Sequence, residues 1–79
     1  MEFILYSRSN CPLCDSMEDE LRPFISKYEI TVIRRYIDNE PELEQLYVTK
    51  VPVLVIQDRI LCEYFLDPAI LIEAIDTAG

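Results

Sequence analysis

Leu5-Tyr6-Ser7-Arg8-Ser9-Asn10-Cys11-Pro12-Leu13-Cys14-Asp15 contains, in order, the end of a strand, a polar loop and the opening of a helix. Glu2 to Tyr6 is a short aromatic and aliphatic run that stops at Ser7-Arg8-Ser9-Asn10, so it reads as strand one. From Pro12 the period changes. Leu13, Cys14, Met17, Leu21, Phe24, Ile25 and Tyr28 fall on one stripe, which predicts an amphipathic helix from Pro12 to Tyr28. Pro12 suits the first helical position, where a missing N–H costs nothing, whereas Pro23 lies inside the pattern and predicts a kink or break.

Two thiols sit at this junction. Cys11 takes the cap position, so its sulfur is expected to accept hydrogen bonds from the free N–H groups of Leu13 and Cys14. A helix N-terminus favours negative charge and therefore a thiolate, which makes Cys11 the expected nucleophile. Cys14 returns to the same face three residues on and is the expected resolving thiol, able to close a disulfide. Asp15, Glu18, Asp19 and Glu20 crowd the same turns; they suit the helix dipole but oppose a thiolate close by.

Downstream, Ile30 to Ile37 reads as a β-branched strand carrying Arg34-Arg35, and Asp38-Asn39-Glu40-Pro41 is a helix start leading to Leu43, Leu46 and Tyr47. Val51 to Ile56 is almost wholly apolar, as in a strand buried on both faces. Gln57-Asp58-Arg59-Ile60 then turns the chain, without the favoured glycine, into a strand from Ile60 to Leu66, giving an antiparallel hairpin. Asp67-Pro68 caps a last helix with Ile70, Leu71, Ala74 and Ile75 on one face. The order β-α-β-α-β-β-α predicts an α/β fold in one domain over residues 1–79, a four-stranded mixed sheet with helices on both faces. Cys62 reads as a buried strand cysteine facing Val55, roughly 10 Å from Pro52 and out of disulfide reach of Cys11. Tyr6, Tyr36, Tyr47 and Tyr64 read as core edges or pocket walls.

Composition narrows the chemistry. There are 79 residues, three cysteines, no histidine and a single glycine, Gly79. Without histidine there is no Ser-His-Asp triad and no His-ligated zinc enzyme, so cysteine or carboxylate must act. A net charge of −8 repels phosphate backbones and anionic membrane surfaces, which predicts no nucleic-acid or membrane partner. The odd cysteine count and the lack of a signal-like N-terminus point to a cytoplasmic chain, expected to be a monomer.

The stretch from Leu5 to Asp15, together with Val51-Pro52-Val53-Leu54, resembles small bacterial glutaredoxin-like proteins of the thioredoxin superfamily. The resemblance implies a thioredoxin-like (glutaredoxin-like) fold and thiol-disulfide oxidoreductase activity, with Cys11 attacking and Cys14 resolving. It implies a cis proline at Pro52 facing the cysteine pair, with Val51 pairing its backbone to substrate as an added strand. Substrate contact is expected from Pro12 and Leu13 between the thiols, from Val51 and Pro52, from Arg8, and from Asp67 at the last helix. No bound cofactor or metal is expected. Glutathione is the expected co-substrate, and the partners are a protein disulfide or glutathione-type thiol and a cellular reductant. The family's Gly-Gly turn before the last helix is missing, since Phe65-Leu66-Asp67-Pro68 contains no glycine. The acidic turns place the expected potential toward the reducing, thioredoxin-like end of the range of about −270 to −120 mV. Two other functions compete: metal or iron–sulfur binding, in which two chains each contribute the pair or glutathione supplies thiolates, and a non-catalytic binding module presenting the Val51-Pro52 edge.

Overall fold

β1 (Glu2–Ser7) alternates as a strand between two layers must: Phe3, Leu5 and Ser7 are fully buried, while Ile4 and Tyr6 are half-buried on the opposite side. These coordinates are a computed structural model, which describes residues 1–78; Gly79 lies outside the described residues. α1 (Pro12–Tyr28) follows and returns the chain to β2 (Thr31–Tyr36), which pairs parallel to β1. A parallel partner needs such a crossover, and α1 supplies it. α2 (Pro41–Tyr47), β3 (Val53–Ile56), β4 (Arg59–Glu63) and α3 (Pro68–Ala78) complete the expected element order. The sheet runs β2-β1-β3-β4, with β3 antiparallel to both of its neighbours.

The two faces of the sheet are filled differently. Phe3, Leu5, Leu54 and Ile56 pack against Met17 and Leu21 of α1 and against Leu71 and Ile75 of α3. On the other side Tyr6 stacks on Tyr47 of α2, ring centroids 4.6 Å apart. A second, smaller cluster of Cys14, Ile37 and Val51, with Cys11, Tyr6, Leu43 and Tyr47 against it, closes the end of the sheet where β1 runs into the Cys11 loop.

Several details depart from expectation. α1 runs through Pro23 without a break, because Pro23 lies on the exposed side, where the carbonyl its missing N–H leaves unpaired meets water. Leu13 is off the buried stripe and 40 % exposed. β4 ends at Glu63 instead of Leu66, since Tyr64 adopts a left-handed backbone, φ 68°. A register shift between Leu54 and Val55 pairs Cys62 with Leu54 and Val55 with Ile60, so Cys62 does not face Val55 as the unbulged hairpin predicted. The hairpin turn is made by Gln57 and Asp58, φ 48° and 62°, two left-handed residues in succession as a tight antiparallel connection requires.

Candidate functional site

Cys11 has extended backbone, φ −115° and ψ 99°, and stands as the N-cap of α1, with Pro12 in the first turn. Its sulfur accepts a hydrogen bond from the backbone N–H of Cys14, 3.1 Å away. Of the two donors expected, this is the one that reaches it. The preceding Asn10 takes a left-handed φ of 55°, which reverses the loop and delivers Cys11 to the helix end. Cys11 and Cys14 are joined as a disulfide with Cα atoms 5.2 Å apart. Cys14 is fully buried against Ile37 and Val51, whereas Cys11 is half-buried. Of the two sulfur-bearing residues, Cys11 is thus the more open and Cys14 the covered one.

Val51 and Pro52 come to the pair from the loop before β3. Both are buried, the peptide between them is cis, and Val51 packs in the cluster that holds Cys14 and Cys11. The N–H of Val51 is engaged, donating to the Tyr47 carbonyl at 3.1 Å. Pro52 is tied from behind: its carbonyl accepts the Tyr64 N–H at 2.8 Å, and the Tyr64 hydroxyl donates to the Thr49 carbonyl.

Arg8 is exposed and has no ion-pair partner among the described residues. It lines a shallow cavity of about 320 Å³ with Asn10, Asp38, Asn39 and Glu44, next in the chain to Cys11. Asp38, the first residue of the helix-start stretch, does not cap α2, whose N-cap is Glu40; its carboxylate accepts the Ser9 N–H at 3.1 Å and fastens the Cys11 loop to the end of β2. Asp67 caps α3, accepting the N–H groups of Ala69 and Ile70 at 3.1 and 3.3 Å. That carboxylate is already engaged, which sets it apart from Arg8.

Charge near the pair is balanced by a residue to which the sequence reading gave no role. Asp15, directly after Cys14, ion-pairs with Arg34 of β2 at 3.0 Å, and Glu18 meets the same guanidinium at 3.5 Å. Arg34 is largely covered, lies over the Tyr36 ring at 4.9 Å, and has a buried Nε without a partner. Burial works against its charge, but the hydrogen bond it donates to Asp15 and the fields of Tyr36, Glu18 and Asp15 outweigh it and hold its pKa above the ordinary value. Successive arginines on a strand point to opposite faces, and that was the available signal: Arg34 reaches α1, while Arg35 pairs with Glu40 ahead of α2 at 2.8 Å.

Cys62 is buried in β4, where its sulfur accepts the Asp67 N–H at 3.5 Å. It belongs to the core cluster under α1 and α3, not to the cluster around Cys14. Among the described residues no group of three or more His, Cys, Asp or Glu side chains converges as metal ligands, and no helix is long and apolar enough to cross a membrane.

Solved proteins share this fold. A Nitrosomonas europaea protein solved by NMR is 35% identical, with a TM-score of 0.83 over 92% of this chain and 88% of that one. An X. campestris protein solved by X-ray crystallography is 29% identical, with a TM-score of 0.72 over 98% of this chain and 99% of that one. Thioredoxin 1 from Thermosipho africanus, 17% identical at a TM-score of 0.61 over 99% of this chain and 90% of that one, shares the fold. No curated protein matches the chain. The model of the glutaredoxin-like domain (DUF836) matches residues 2–76, and with the thioredoxin-like fold and the paired Cys11 and Cys14 it shows that the chain belongs to that glutaredoxin-like family.

Proposed function

We propose that this protein is a thiol-disulfide oxidoreductase in which Cys11 attacks and Cys14 resolves. The observation that carries this reading is the placement of Cys11 as the half-buried N-cap of α1, its sulfur 3.1 Å from the Cys14 N–H, with Cys14 buried behind it. The free N–H groups of the first turn stabilise a Cys11 thiolate, which attacks one sulfur of a substrate disulfide. The second substrate sulfur leaves as a thiolate and takes up a proton. Cys14 then loses its proton and attacks Cys11, expelling the first substrate sulfur and closing the Cys11–Cys14 bond. Two electrons pass to the substrate, and two from a cellular thiol reductant restore the dithiol.

Pro12 and Leu13 form the near wall of the reaction site, and Val51 and Pro52 the far wall, with the Val51 carbonyl receiving an extended substrate. Arg8, a cation without a partner among the described residues, is suited to the carboxylate of a glutathione-type co-substrate. Asp67, engaged as a cap, contributes by fixing α3. A cytoplasmic setting, where thiols are kept reduced, fits a reductase.

Substitution separates the roles. Cys11→Ser is expected to abolish turnover of disulfide substrates, while Cys14→Ser should trap the mixed disulfide on Cys11, visible as an adduct by mass spectrometry. Persistence of turnover in Cys11→Ser, or a Cys11–Cys14 bond that dithiols do not reduce, ends the proposal.

A further inference from the structure

α2 has seven residues and so reaches about 10 Å, whereas β1, with six, runs about 20 Å. The sheet face turned away from α1 and α3 is therefore covered at the cysteine end and bare at the other. Where the cover stops there is a cavity of about 680 Å³, more than twice the volume of the one beside Arg8. Its floor is Ile4 and Val55, register partners on β1 and β3, and one wall is the Tyr6–Tyr47 stack. Pairing continued two residues beyond Ile4 and Val55 sets Glu2 level with Gln57, so Glu2 and the neighbouring Asp58 stand at one edge of the cavity. Neither carboxylate makes an ion pair among the described residues. No lysine or arginine among them lines the cavity, and the one cationic group on its lining residues is the Met1 amine, also without an ion pair. The Asp58 charge reaches the stack: burial, then the fields of Tyr6 and Asp58, raises the Tyr47 hydroxyl above its ordinary value.

We propose that this cavity binds a small organic cation, an amine whose ammonium group meets Asp58 and Glu2 and whose apolar body lies on Ile4 and Val55 against the Tyr6–Tyr47 wall. Its volume is that of a small-molecule site, about 300–1,000 Å³. Exposed carboxylates alone attract any cation weakly and without selection. Here they border an apolar floor and two aromatic rings, and the negative face of an aromatic ring itself attracts an ammonium group. A neutral apolar molecule would cover the floor but leave both carboxylates without a partner. An anion is opposed by those carboxylates and by the net charge of −8. Neither Cys11 nor Cys14 lines the cavity, so cation binding needs no thiol step.

Three probes of nearly one shape separate charge from apolar contact: phenethylammonium, phenethyl alcohol and hydrocinnamate, each titrated into the isotope-labelled full chain and followed by amide NMR shifts. Phenethylammonium is expected to saturate with a Kd on the order of 1 mM, moving the amides of Ile4, Tyr6, Tyr47 and Val55. The alcohol should bind about tenfold more weakly, and hydrocinnamate should produce no saturable shift. Asp58→Asn keeps a residue that tolerates the left-handed backbone there, φ 62°, and should weaken the amine about threefold to fivefold while leaving the alcohol unchanged. Glu2→Gln should weaken the amine about twofold. Shifts that never saturate or that centre on the acidic turns of α1, equal affinity for amine and alcohol, or an amine affinity unmoved in the Asp58→Asn, Glu2→Gln double variant would overturn the site.

Discussion

The sheet has one face that holds the molecule together and one end that carries the cysteine pair. Under α1 and α3, Phe3, Leu5, Met17, Leu21, Leu54 and Leu71 are at most 1 % exposed. Around the thiols, Ile37 and Val51 are buried, but Tyr6, Cys11, Leu43 and Tyr47 are only partly covered. A domain this small buries only about 60% of the surface its unfolded chain exposes, so it has little apolar material to divide. The division places most of it away from Cys11. A reactive sulfur needs an open approach, and openness near it is tolerable only because the opposite face is dry.

The largest effect that tests this contrast is on stability. Leu5→Ala should cost about 2–5 kcal/mol in urea unfolding, whereas Leu43→Ala, on the partly covered side, should cost about 1 kcal/mol. Equal costs would break the comparison. A smaller effect sharpens it at the end that carries the thiols: Arg34→Met leaves Asp15, next to Cys14, without its cation, while Glu18 keeps Arg22 at 3.7 Å. Iodoacetamide alkylation of Cys11 in the reduced protein should then slow about twofold to threefold at neutral pH, a screened surface effect. Adding Asp15→Asn should restore much of the rate, and a rate unmoved in both variants would show that the pair does not reach Cys11.

The smallest effect concerns Cys62 on the dry face. Burial pushes its thiol up from the ordinary 9.0, against the lowering hydrogen bond from the Asp67 N–H, with the Asp67 charge adding to the rise. A raised folded value means that its contribution to stability is complete below the unfolded value and is lost as pH rises from there through the folded value. Stability of the wild type is therefore expected to fall above about pH 9 more steeply than that of Cys62→Ala in urea titrations at successive pH values. Native Cys62 should also resist alkylation at pH 8 while Cys11 in the reduced protein reacts; the reverse order of reactivity would contradict the burial of Cys62.

Local chemistry made most of the fold legible. Pro12, the three-and-four spacing to Tyr28 and the apolar run before Gln57 each point to one kind of element, and their order leaves few topologies. The Cys11 cap was legible for the same reason, since a helix end is a local structure. What escaped depends on contacts between distant residues. Nothing near Asp15 in the chain announces Arg34, because their meeting depends on how α1 lies across β2. Asp38 had the chemistry of a helix cap, yet its carboxylate met the Ser9 N–H first. Tyr64 and Phe65 read as strand because aromatic residues favour strands, but the bonds of Tyr64 to Thr49 and Pro52 favour a reversal there over another pair of ladder bonds.

Asn10, Glu29, Asn39, Gln57, Asp58 and Tyr64 all hold left-handed backbone in a chain with one glycine. Glycine would fit each of these positions with less steric cost in the folded state, but it would also enlarge the set of conformations open to the unfolded chain. By bending at residues that carry a Cβ, the protein accepts local strain at its reversals and starts folding from a narrower ensemble. Part of the stability of so thin a core is thus conferred by what the disordered chain cannot do.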